Sequence, residues 1–179
     1  MKLAFVLASV FSISLLSVAA AQAPQGGGGA QARGQTAAPA RPVGVDAATA
    51  KKMVAASEAA ALAANAPIAI AVVDGNGDLV YFERMDGASA RAVTSSQGKA
   101  RAALLLGVPT KAAQDSMNAN KPISVTLTNP PAGAWDITIG QGGLPILKDG
   151  KVVGAMGCGG STPANDEQFC QAGINVMGK

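Results

Sequence analysis

The chain has 179 residues, with 14 Lys or Arg, 11 Asp or Glu and no histidine. The missing histidine excludes a Ser-His-Asp triad, a His-ligated zinc and a His-ligated haem. Lys2, Arg33 and Arg41 precede Val45, so the charges beyond it balance at 11 against 11; without a basic field, and with only Tyr81, Phe82, Trp135 and Phe169 as rings past residue 21, nucleic-acid binding is disfavoured.

Lys2, the apolar run LAFVLASVFSISLL and Ala19-Ala20-Ala21 read as a signal peptide over residues 1–21, cut after Ala21. The expected location is a periplasm or the exterior. No later segment is apolar for long enough to span a bilayer. Residues 22–44 are rich in Gly, Pro, Ala and Gln without an apolar period, and predict a flexible tether. Residues 45–179 are enough for one domain with a real core.

Asp46 is placed to cap a helix over AATAKKMVAASEAAALAAN, in which Ala50, Met53, Val54, Ser57 and Ala61 recur at helical spacing. The stretch AIAVVDGNGDLVYFERMDG follows. Asp74, Asn76 and Asp78 alternate as in a calcium loop, yet the sixth position is Leu79 and the twelfth is Met85, where the loop needs Gly and Glu. Two β-branched runs around a Gly/Asn/Asp cluster predict a hairpin instead, with Gly75, Asn76 and Gly77 supplying positive φ angles. Ser89 or Asp86 can cap a second helix through Leu106, and Pro109 fits the first turn of a third. NPPAGA is a break. WDITI, LPIL and KVVGAM read as strands, with Lys148-Asp149-Gly150 turning between the last two. Thr162 caps a final helix with Pro163 at its first position. Strands joined by tight turns imply an antiparallel sheet in an α+β fold.

Several motifs invite chemistry. Ser96-Gln97-Gly98-Lys99 matches S-x-x-K, but the third motif of a penicillin-interacting serine enzyme would fall on a hairpin turn, so the match is accidental. GQGGLPIL resembles a phosphate loop, but it precedes a strand; its glycines read as permitting close backbone approach. Cys158 and Cys170 are an even pair in an exported chain, which favours a disulfide adding about 3 kcal/mol over two buried thiols. Asp166 and Glu167 suit the dipole of the last helix. Nothing forms a catalytic constellation by spacing, which favours a binder over an enzyme.

IAIAVVDGNGDLVYFERMDGA, then GKARAALLLG, then GGLPILKDGKVVGAMGCGGSTPANDEQFCQAG occur in that order. Together they closely resemble the GlcG/HbpS-like haem-binding, or haem-degrading, family over nearly all of the domain. The resemblance implies a profilin-like α/β/α sandwich around a five-stranded antiparallel sheet, and homo-oligomers in which the Ala/Ser-rich helix from Ser89 to Leu106 could pack closely against a neighbour. It implies haem as the cofactor, bound for scavenging, buffering or slow degradation. Met85, Asp86, Gly87, Lys99, Gly142, Gly143, Pro145 and Gly157 match its motif positions. With no histidine, the iron would need Tyr81, a Met, a Cys or a Lys; Tyr81 and Met85, four apart on a strand, share a face and are the first ligand candidates. Two other readings stay open. One is a binder or enzyme for a small organic acid, with Lys99 and the Gly142–Pro145 turn lining a pocket at a subunit interface. The other is a structural oligomer.

Overall fold

The computed structural model describes residues 44–124 and 136–178. The signal peptide, the tether before Gly44, NPPAGA and Trp135 lie outside them. The elements are α1 (Ala47–Ala63), β1 (Ala69–Asp74), β2 (Leu79–Arg84), α2 (Ala90–Leu106), α3 (Thr110–Asn118), β3 (Gly143–Lys148), β4 (Lys151–Gly159) and α4 (Pro163–Ile174), closed by a 3-10 turn, Asn175–Gly178.

The helix starts follow the capping residues. Asp46 accepts from the Thr49 N–H at 2.7 Å, Ser89 from Ala92 at 3.2 Å and Thr162 from Asn165 at 3.3 Å, each satisfying an orphan donor of a first turn. Those Asp46 bonds hold its carboxyl below the usual range, the Thr49 backbone N–H foremost. This cap therefore contributes at neutral pH and is lost as pH falls through the lowered value, below about pH 4. Asp46→Asn, which also caps well, should flatten that acid limb in a urea-midpoint against pH series, and an unchanged limb would remove the cap from the account. α2 ends at Gly107, whose φ of 66° is the left-handed conformation that suits glycine.

The sheet order is β2-β1-β4-β3, with every pairing antiparallel. Asp149 and Gly150, with φ of 51° and 74°, turn β3 into β4. In the β1–β2 turn the Asp74 carboxylate accepts from the N–H groups of Asn76 (2.9 Å) and Asp78 (3.0 Å). The calcium-like spelling is thus a self-bonded turn, and among the described residues no group of acids and cysteines is placed to hold a metal. Of the three residues expected at positive φ, only Gly77 adopts it.

The two faces of the sheet differ in side-chain size, because alternate residues point to opposite sides. Ile70, Val72, Leu144, Ile146, Met156 and Cys158 meet Met53, Val54 and Phe169 of α1 and α4 in the main core. Each large side chain buried there contributes about 1.5–3 kcal/mol. The opposite face carries Ala71, Val73 and Ala155, on which Ala100, Ala103 and Leu104 of α2 pack. Gly157 and Gly159 continue that face, and a Cβ on either would overlap α2. Ala100 and Ala103 of α2 are thus packed against the chain's own sheet, while Ala90 on the same helix is exposed.

The expected five-stranded sheet has four strands among the described residues. Residues 136–139, expected as a strand, form no ladder. The physical reason is a competing contact: Thr138 sits against Gly98 of α2, where a Cβ would come 2.5 Å from its hydroxyl, and the Gly140 carbonyl is taken by the Thr110 hydroxyl at 2.7 Å.

Candidate functional site

The site residues expected from the sequence divide between the two edges of the sheet. Tyr81, Met85 and Asp86 belong to β2 and the segment just after it; Lys99, Gly142, Gly143 and Pro145 gather at β3 and the helix over it.

On the β2 side, Tyr81 and Met85 do face the same core. Met85 is 7% exposed, and its sulfur accepts the Ile68 N–H at 3.5 Å. Its thioether packs in the core and accepts that one backbone N–H, and the residue also borders a cavity beside Asp86. The Tyr81 hydroxyl donates to Glu83 at 3.2 Å, and Lys51 lies 5.7 Å over the ring. That hydrogen bond, then the Glu83 charge, raises the phenol pKa. Asp86 is exposed and borders a cavity of about 250 Å³ with Glu58, Glu83 and Arg84.

On the β3 side the geometry is tighter. Lys99 is 7% exposed, and its ammonium donates to Asp166 Oδ2 at 2.7 Å and to the Cys158 carbonyl at 2.9 Å. Asp166, 3% exposed, accepts the Ser161 N–H on its other oxygen at 3.0 Å. The pair therefore ties α2 on one side of the sheet to α4 on the other. Gly142 has φ +119°, and a Cβ there would stand 2.8 Å from the Asp166 Cβ and 3.0 Å from the Lys99 ammonium. A Cβ on Gly143 would overlap the Lys99 carbonyl. The glycines thus make room for the lysine, not for a phosphate. Thr110, fully buried, accepts the Gly143 N–H at 2.9 Å and so locks the start of β3 to α3. Pro145 lies further along β3, opposite Ala155.

Above the ion pair lies a cavity of about 450 Å³, bordered by Arg91, Ser95, Gln114, Gln141 and Ser161 besides Lys99 and Asp166. The lysine has three donors, two are used, and the third has no partner among the described residues. Sequence reasoning gave Lys99 a ligand-binding role, lining a pocket at a subunit interface, and Asp166 a helix-dipole role, and missed their pairing. The only signal was their joint appearance in the quoted motif, the KA of α2 and the DE of α4.

Cys158 and Cys170 are both free and fully buried, so the expected disulfide is not formed here. The pair nonetheless lies together. Burial pushes the Cys170 thiol well above its usual range, and a hydrogen bond with Cys158 adds to the shift. Thiolate chemistry is suppressed accordingly. An aromatic disulfide reagent should therefore react with neither thiol in the native state at pH 8 and with both after unfolding. Reaction with neither in the unfolded, unreduced protein would mean that the protein as isolated carries the bridge.

A family model described as "Haem degrading protein HbpS-like" matches residues 45–175. An uncharacterised 15.0 kDa protein from the dhaT-dhaS intergenic region of Citrobacter freundii is 34% identical over 131 residues, 73% of this chain and 89% of that protein. Protein GlcG of Escherichia coli K12 is 35% identical over 108 residues, 60% of this chain and 75% of GlcG. The crystal structure of HbpS superposes with a TM-score of 0.65 at 28% identity, covering 78% of this chain and 94% of HbpS.

Proposed function

The chain belongs to the HbpS-like family of haem-degrading proteins, and on that premise we propose that it is an exported haem-binding protein that scavenges, buffers or slowly degrades haem. The family match across residues 45–175 is the observation that carries this reading. A leader-like N-terminus supports export, and no helix among the described residues is long and apolar enough to cross a membrane. Assembly of copies belongs to the same proposal. It would use surfaces other than the inner face of α2, such as those carrying the exposed Leu62 and Met117.

The test is a haem titration of the reduced mature chain, residues 22–179, followed in the Soret region. Saturation near one haem per chain with a shifted band is the expected result. Non-saturating absorption that albumin removes would overturn the reading.

The polar cavity over Lys99 favours a second reading, a short-chain carboxylate as ligand. Arg91 and the spare lysine donor would meet the carboxylate, and the cavity has the size of small-molecule sites. Such a ligand at a hundred times its Kd would stabilise the fold by about 2.7 kcal/mol. A panel of carboxylates in a thermal-unfolding screen should then show one that loses its effect in Arg91→Ala; a flat panel would dismiss this reading.

A further inference from the structure

Of the described residues that border the cavity over Lys99 and Asp166, none is aromatic and only Ala92 and Pro163 are apolar; the others bring hydroxyls, amides, charges or bare glycine backbone. Its ligand must therefore be held by polar contacts. Arg91 borders the cavity and is exposed, and its guanidinium has no hydrogen-bond or ion-pair partner among the described residues. The floor differs in kind, because it presents a donor and an acceptor side by side. Lys99 keeps one ammonium hydrogen after serving Asp166 and the Cys158 carbonyl. The Asp166 carboxylate has about four acceptor sites, and Lys99 and the Ser161 N–H take only part of that capacity. The two charged groups stand 2.7 Å apart, so a single ligand atom placed over them meets both.

We propose that this cavity takes a 2-hydroxy carboxylate, with the hydroxyl seated on the Lys99–Asp166 pair and the carboxylate held by Arg91. The inference rests on the carboxylate reading above and narrows its ligand class. A hydroxyl both accepts and donates, which is what a lysine beside an aspartate requires of a ligand atom. An oxo group in its place only accepts, and it would turn a lone pair toward the Asp166 carboxylate. A methylene does neither, and it would take water from both charges without replacing it. In a 2-hydroxy acid the hydroxyl and carboxylate sit on adjacent carbons. The hydroxyl oxygen and the nearer carboxylate oxygen can therefore share the spare lysine hydrogen, while the hydroxyl's own hydrogen goes to Asp166. The far carboxylate oxygen is left for Arg91, whose planar guanidinium suits it. The ion pair stays intact throughout and acts as the specificity element of the site.

The test measures dissociation constants of L-lactate, D-lactate, pyruvate and propionate by NMR titration of the mature chain. These ligands share one carbon skeleton and differ only at the atom that would lie over the pair. One lactate enantiomer should bind at least about tenfold more tightly than pyruvate or propionate, the lower end of what a hydrogen bond to a charged group contributes. Asp166→Asn replaces an acceptor oxygen by an amide that can turn its N–H toward the ligand, so the preference for lactate should shrink and pyruvate should gain. The wild-type comparison decides the matter even where Asp166→Asn does not fold. A chain that binds none of the four overturns the carboxylate reading and this inference with it. A chain that binds all four alike, or pyruvate best, leaves the carboxylate reading standing and overturns the hydroxyl's place on the pair. An unchanged lactate preference in a folded Asp166→Asn variant overturns it as well.

Discussion

Lys99→Met is expected to destabilise the domain by about 3–5 kcal/mol, the usual consequence of stranding one member of a buried ion pair. The pair lies 2.7 Å apart with side chains 9% and 4% exposed, so bulk water offers little replacement for the lost ammonium. Asp166 would keep its Ser161 N–H but face a carboxylate-sized desolvation cost without a counter-charge. The Cys158 carbonyl would lose its donor as well. The double variant Lys99→Met/Asp166→Leu should recover most of the loss, because two apolar groups of similar length carry no stranded charge. The contrast within the same protein is Lys111–Asp115, an i,i+4 pair with side chains 44% and 57% exposed, whose removal should cost no more than about 0.5 kcal/mol and should fade with salt. Urea midpoints of the three variants decide the matter. A cost below about 1 kcal/mol for Lys99→Met would show that water reaches the pair through the cavity above it, and the lysine would then be read as a ligand group first and a tie between layers second.

The same pair marks where sequence reading stops. The helices were legible because their signals are local: Asp46, Ser89 and Thr162 are capping residues followed by apolar positions at helical spacing, and the five expected inward residues of α1 are the five that are buried. The hairpin was legible because a calcium loop has fixed positional demands that Leu79 and Met85 fail. Residues 136–139 were misread because β-branched composition describes a strand's surroundings as much as its backbone, and here Thr138 and Gly140 find partners in α2 and α3 instead of a ladder. The Lys99–Asp166 pair spans 67 positions and the Thr110–Gly143 bond spans 33, so no local period could join them. The same applies to Met85. Its even spacing from Tyr81 gave a shared face, but spacing cannot report that the sulfur accepts the Ile68 N–H. For the cysteines the sequence supported pairing, and the fold does bring them together, as thiols.

Gly157→Ala should be the most damaging single methyl that can be added to the sheet. A Cβ at this position would overlap the Ser96 carbonyl and come 2.5 Å from the Ala100 amide nitrogen. Both belong to the backbone of α2, so no side-chain rotation relieves the clash; the helix must lift from β4 or the strand must bend. Overpacking of this kind typically costs about 1–3 kcal/mol and more where backbone must move. Lifting α2 would also draw Lys99 away from Asp166, coupling this cost to the ion pair, so Gly157→Ala and Lys99→Met should be less than additive. Gly75→Ala is the internal control, since its nearest neighbours would be the Val153 carbonyl atoms at 3.5 and 3.8 Å, ordinary contact distances, and its φ is not positive. That change should stay within about 0.5 kcal/mol of wild type. If Gly157→Ala proved equally mild, α2 would have to be free to shift on the sheet, and the close backbone approach of helix and strand could not be what fixes its place.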